Sequence, residues 1–233
     1  MVTTTGRICS WNIRKALGTD RKRHPARILS ILDYLQADIM VLQEADFRLG
    51  DRKPALPNHL LQDVGFRAVD THPASPSIGW HGNAILLRRG ISVDDVDLIR
   101  LPGLEPRGAL CAELSGRFGK VRIIGLHLGL LRRSRRQQMA HLVDVLDHRR
   151  EMPTLLAGDF NERSQARGFE PFASDFKVLS AGPTFHSRFP RIALDRMAHN
   201  ALVEMSKLKP LLTAQTRLAS DHLPIVGAFR VAA

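Results

Sequence analysis

Apolar residues along the chain recur with two different periods. Ile28, Leu29, Leu32 and Leu35 fall at helical spacing, as do Met139, Leu142, Val143 and Leu146. The spacing predicts amphipathic helices over 26–36 and 134–149, with Pro25 suited to the first turn of the earlier one. Elsewhere, short apolar runs bounded by turn-forming residues predict strands over 7–11, 38–42, 83–87, 93–101, 108–114, 120–128, 153–158, 192–197, 202–212 and 225–231. Residues 108–128 read as a hairpin turning at 115–119. Residues 46–82 read as irregular, with Pro54, Pro57, Pro73 and Pro76 as breakers and a short helix over 58–64. Residues 164–190 read as loop, with Phe169, Phe172, Phe176, Phe185 and Phe189 packing locally. Many strands and two marked helices imply an α/β fold of two packed, largely antiparallel sheets covered by helices. With no internal repeat and no linker-like break, a single domain over 1–233 is expected.

The polar residues that end these runs carry the chemistry. In Leu155-Leu156-Ala157-Gly158-Asp159-Phe160-Asn161, a buried strand reaches a glycine that reads as a turn. An acid and an amide two residues apart follow, so both point to one side of an extended chain. Asn12, Glu44, His127, Asp195 and the pair Asp221-His222 likewise stand at or beside the ends of apolar runs. Singly, each is an ordinary strand end, turn cap or satisfied core histidine. Together they supply carboxylates and amides, hard oxygen ligands that suit Mg²⁺ or Mn²⁺ rather than zinc. They also supply two histidines able to move or orient a proton. That mixture fits hydrolysis of a phosphate ester better than acyl or hydride transfer. No phosphate-binding loop, glycine-rich dinucleotide motif or nucleophilic-serine elbow is present. His24, His72, His81 and His186 lack such company and read as loop histidines.

Charge sharpens the choice of partner. The chain's 34 basic and 23 acidic residues give a net charge of +11, which fits an anionic partner: nucleic acid, a phosphorylated metabolite or a lipid headgroup. Arg132, Arg133, Arg135 and Arg136 crowd a helix N-terminus, where cations oppose the helix dipole. That conflict favours a phosphate grip there, and Arg21-Lys22-Arg23 invites the same reading. Few aromatic residues accompany either cluster, which argues against base stacking. Cys9 and Cys111 sit inside apolar runs without metal-ligand spacing, so a reducing compartment is expected. No apolar run approaches membrane-spanning length, and a cytoplasmic monomer is the expectation.

The succession Trp11-Asn12, Gln43-Glu44, His127, Gly158-Asp159-Phe160-Asn161, Leu194-Asp195 and Ser220-Asp221-His222-Leu223-Pro224 resembles the endonuclease/exonuclease/phosphatase superfamily. The resemblance spans 7–231 and implies a deoxyribonuclease I-like, four-layer α-β-β-α sandwich and a Mg²⁺-dependent hydrolase, with Mn²⁺ as the alternative ion. By resemblance, Asn12 and Glu44 are metal ligands, and Asp221 supports the metal or the water. Asp159 and Asn161 position water and phosphate. His222, oriented by Asp195, is the catalytic histidine, and His127 donates to a phosphate oxygen. Arg107 and Asn83 face the substrate phosphate. Whether His222 or Asp159 is the general base stays open at this level. Tyr34, on the first helix, is the sole tyrosine, so the active-site tyrosine of abasic-site endonucleases has no counterpart. The expected activity is a phosphodiesterase or nuclease on nucleic acid. The alternative is a phosphatase or phospholipase C-like enzyme on a small phosphoester or lipid headgroup, and a non-catalytic binding module comes last.

Overall fold

A computed structural model describes residues 4–47, 53–71 and 77–232. The loop histidine His72 and the breakers Pro73 and Pro76 lie outside these residues. The chain opens with β1 (Gly6–Asn12), α1 (Pro25–Leu35) and β2 (Ile39–Gln43), with β1 and β2 parallel. The helix begins at Pro25 because proline's fixed φ suits a first turn, and the His24 ring accepts from the Arg27 N–H. Next come α2 (Asn58–Asp63), β3 (Phe66–Ala68) and β4 (Ala84–Arg88). An uninterrupted stretch then gives β5 (Ser92–Leu101), β6 (Arg107–Gly116), β7 (Gly119–His127), α3 (Arg132–Asp147), β8 (Thr154–Asp159), β9 (Lys177–Ser180) and β10 (Asp195–His199). The chain closes with β11 (Val203–Met205), β12 (Lys209–Pro210), α4 (Ala214–Ala219) and β13 (Ile225–Val231).

Among the described residues the strands form two sheets. The first runs β11-β13-β1-β2-β4-β3, with β12 also on β13, and the second runs β5-β6-β7-β8-β10-β9. Side chains alternate across each strand and sort into three apolar layers. Ile8, Ile39, Val41 and Ile85 of the first sheet meet Leu110, Ile123, Leu155 and Met197 of the second. Met40 and Leu42 turn outward onto Ile28 and Leu32 of α1, and Ile124 and Leu156 turn outward onto Met139 and Leu142 of α3. The result is the four-layer α-β-β-α sandwich. The sheets approach closely where Gly125 faces Val41: a Cβ there would lie 2.9 Å from Val41 Cγ1.

Three expectations are corrected. Gly158 makes no turn; the strand runs on through Asp159, and a Cβ at Gly158 would sit 1.9 Å from the Leu126 carbonyl oxygen of β7. Residues 202–212 are two short strands, β11 and β12, and not one. Residues 164–190, read as loop with Phe189 packed locally, hold β9 and leave Phe189 exposed.

Candidate active site

Strand parity aims the polar residues into one cleft. In β7, Ile123 faces the other sheet, so His127, four residues on, faces the same way. In β8, Leu155 and Ala157 face inward, so Asp159 does too, and in β10 the inward Met197 brings Asp195 with it. The register sets His127 opposite Asp159 across β7 and β8, and Asp159 opposite Asp195 across β8 and β10. From the first sheet, Asn12 ends β1 on the inward side with Ile8. His222 stands just before β13, where its carbonyl accepts from the Trp11 indole at 2.9 Å. Both sheets therefore deliver side chains to one end of the cleft between them.

Asp159 is the hub. Its Oδ2 accepts from Asn12 Nδ2 at 3.1 Å and lies 3.5 Å from His127 Nε2 and 3.6 Å from His222 Nε2. Its Oδ1 accepts the Asn161 N–H at 2.9 Å. Asn161 leaves the strand at φ 52°, and its amide donates to the Leu128 carbonyl at 2.9 Å. Phe160 turns outward into the α3 layer.

His222 bonds Asp195 through Nδ1, at 2.9 Å from Asp195 Oδ2, which also accepts from the Thr184 hydroxyl at 2.5 Å. Its ring rests 5.0 Å from that of Phe185. Burial alone would push the His222 imidazole down. The charges of Asp195 and Asp159, the hydrogen bond to Asp195 and the charge of Asp221 outweigh it and hold the ring up at about 10. Asp195 Oδ1 is buried and has no partner among the described residues. Asp159, Asp195 and His222 each offer a donor atom within 4.8 Å of the others, a spacing compatible with a metal ion.

The remaining site candidates fall into two groups. Gln43, in step with the inward Ile39 and Val41, is buried against Ser10, and Glu44 follows β2 at φ 51°, off the strand's alternation. The Glu44 carboxylate pairs with Lys15 Nζ at 2.6 Å, and Asp221 pairs with Arg14 Nε at 3.3 Å. Arg14, Lys15 and Ala16 all have positive φ, folding this segment back so that the Lys15 N–H donates to the Glu44 carbonyl. Two cations thus sit on two of the acids. Asn83 stands just before β4, whose Ala84 pairs with Leu42 of β2, and Arg107 opens β6, whose Ala109 pairs with Leu126 next to His127. Asn83 donates to the Gly108 carbonyl at 2.8 Å, and Arg107, buried, donates from Nη2 to Glu105 at 2.8 Å.

Glu162 was hidden from sequence reasoning. It is 1% exposed and takes Arg132 Nη2 on Oε1 at 2.9 Å and Arg135 Nη2 on Oε2 at 2.7 Å. Burial opposes its charge, but the bonds from Arg132, Arg135 and the Ser164 N–H hold its carboxyl at about 2. The arginines crowding the α3 N-terminus, with no acid in their own first turn, were the available signal.

The sequence profile described as Endonuclease/Exonuclease/phosphatase family matches residues 9–222. The chain belongs to the endonuclease/exonuclease/phosphatase family. These proteins are phosphoester hydrolases. An Escherichia coli relative, the uncharacterized protein YbhP, is 33% identical over 159 residues, which are 63% of this chain; the match spans 62% of YbhP's own length. Among solved structures, the human Nocturnin catalytic domain with bound sulfate superposes at a TM-score of 0.75 and 22% identity, covering 98% of this chain and 94% of that one. The D. rerio TDP2 structure with a single-strand DNA product superposes at 0.74 and 17% identity, covering 98% and 100%. These superpositions confirm the deoxyribonuclease I-like fold of this family member.

Proposed function

We propose that the chain is a divalent-cation-dependent phosphoester hydrolase in which water attacks phosphorus in line. The observation that carries this reading is the convergence of His127, His222 and Asn12 on Asp159 Oδ2, with His222 fixed from behind by Asp195. Asp159, at the centre, accepts the water's proton. The Nε2 atoms of His127 and His222 flank it and donate to phosphoryl oxygens, spreading the charge that grows there. Thr184 holds Asp195, and Asp195 holds the His222 ring in its orientation. Asn161, turned by its bonds to Asp159 and Leu128, stiffens the floor of the site.

The donor set fits a hard cation. Glu44 and Asp221 offer carboxylates and Asn12 an amide oxygen, with no sulfur among them. The tighter group of Asp159, Asp195 and His222 suits proton handling better, because His222 Nδ1 and Asp195 Oδ2 are already joined. We therefore assign Mg²⁺ or Mn²⁺ to Asn12, Glu44 and Asp221. When bound there, the ion supplies Lewis acidity that polarises the phosphoryl oxygen and eases departure of the leaving oxygen.

Nucleic acid, favoured from charge, keeps the support of the +11 total. Half of the arginine cluster read as its grip, Arg132 and Arg135, is spent on Glu162. The test is hydrolysis of bis-p-nitrophenyl phosphate and p-nitrophenyl phosphate by purified protein, with Mg²⁺ and with chelator. Turnover should require the ion and vanish in His222→Ala. Ion-independent turnover, or a His222→Ala variant as fast as the parent, would overturn the assignment.

A further inference from the structure

Among the described residues, five large apolar side chains are more than half exposed: Tyr34 at 70%, Leu104 at 88%, Leu130 at 67%, Leu131 at 56% and Phe189 at 77%. All but Tyr34 rise from loops bordering the cleft mouth. Leu130 and Leu131 follow His127 within four residues, and Asn161 donates to the intervening Leu128 carbonyl. Leu104 crowns the β5–β6 loop, which is stitched to the same place: the Leu130 N–H donates to Glu105 Oε1 at 2.9 Å, and Gln138 Nε2 donates to the Pro102 carbonyl at 2.9 Å. Across the cleft, the loop carrying Phe189 is bound to the site by the Ser187 N–H on the Asp221 carbonyl and by Phe185 against His222.

Cations accompany these residues. Arg133 is exposed and makes no ion pair among the described residues, and Arg132 and Arg136 are 52% and 56% exposed. Arg188 and Arg191 flank Phe189 and are exposed. The acids nearest the leucines, Glu105, Glu162 and Glu170, each face an arginine. Exposed apolar side chains with guanidinium groups beside them suit a bilayer, in which anionic headgroups lie above hydrocarbon. Three of the four rim residues are leucines, which have no aromatic face for bases to stack on, and a soluble small substrate requires no apolar rim.

We infer that the rim formed by Leu104, Leu130, Leu131 and Phe189 with its arginines docks the protein on an anionic lipid bilayer, presenting the cleft to phosphoesters of lipid headgroups. This inference rests on the hydrolase reading above for what the cleft does, but the docking itself does not. The test is co-sedimentation with vesicles of phosphatidylcholine alone and of phosphatidylcholine and phosphatidylglycerol in equal parts. The parent should bind the second kind and not the first. Leu104→Glu and the Leu130→Glu/Leu131→Glu double variant should bind on the order of ten-fold or more weakly, since each removes a side chain worth about 1.5 kcal/mol or more when buried. Their hydrolysis of bis-p-nitrophenyl phosphate should match the parent's, and that assay, free of lipid, reports separately on the hydrolase reading. Equal vesicle binding by parent and variants would overturn the inference. So would duplex DNA binding that is insensitive to the leucines, with no binding to vesicles.

Discussion

Asp159 and Asp195 face each other across the β8–β10 ladder as direct partners in register, two buried acids side by side. Such neighbours repel unless something positive separates them. His222 does so, with Nδ1 on Asp195 and Nε2 toward Asp159. Replacing His222 with alanine should therefore cost stability as well as turnover. His222→Ala should unfold at lower temperature than the parent at neutral pH, and the gap should narrow as pH rises through about 10, where the folded chain's imidazolium loses its proton, which calorimetry across pH would measure.

Asp195→Asn leaves the side chain's shape but changes what it asks of His222 Nδ1. Turnover of the soluble diester should fall on the order of a hundred-fold with KM little changed, the pattern of a group acting through the histidine. Steady-state kinetics would check it; a change confined to KM would contradict the role.

Lys15 competes with any cation for the Glu44 carboxylate, lying 2.6 Å from Oε2. Lys15→Met removes the competitor. Titrating Mg²⁺ while following the melting temperature should give a larger rise in the variant than in the parent, because binding to the native state stabilises by mass action.

Glu162 sets a lower pH limit on folding. Its carboxyl is held at about 2 against an ordinary 4.5, so the unfolded chain binds that proton more readily. The stabilisation, on the order of 3 kcal/mol, is complete above 4.5 and drains away as pH falls through 2. Glu162→Gln should lose this stabilisation at neutral pH and show a flatter decline in acid, measured by denaturant midpoints from pH 7 downward.

Gly158→Ala places a Cβ 1.9 Å from the Leu126 carbonyl oxygen. Backbone must move, so a drop of several kcal/mol in stability is expected. A melting temperature equal to the parent's would show that β7 and β8 separate more easily than their register suggests.

The sandwich was legible because its strands announce themselves. The run expected over 38–42 forms β2, one residue on and buried along its length, and the 3.6-residue spacing of Ile28, Leu29, Leu32 and Leu35 is the face α1 turns inward. Period-two alternation also carried the site: once Ile123, Leu155 and Met197 are known to face inward, His127, Asp159 and Asp195 follow by counting. What stayed hidden depends on contacts distant in sequence. Glu162 shows its purpose only when α3 packs beside it, and Gly158 only when β7 passes at close range. The departure of Glu44 and Asn161 from their strands' alternation goes with positive φ, which no side-chain pattern marks in residues other than glycine.

The second sheet is one continuous stretch, residues 92–199, while the first is assembled from the segments on either side of it, joined where β13 pairs with β1. A growing chain can stack β5 to β10 early, but it has no partner strand for β1 on that edge until β13 has been made. His222 arrives with that same final segment. Under the proposed mechanism, a ribosome-bound or proteolytically clipped chain that ends before His222 would be inactive however much of the sandwich it has built.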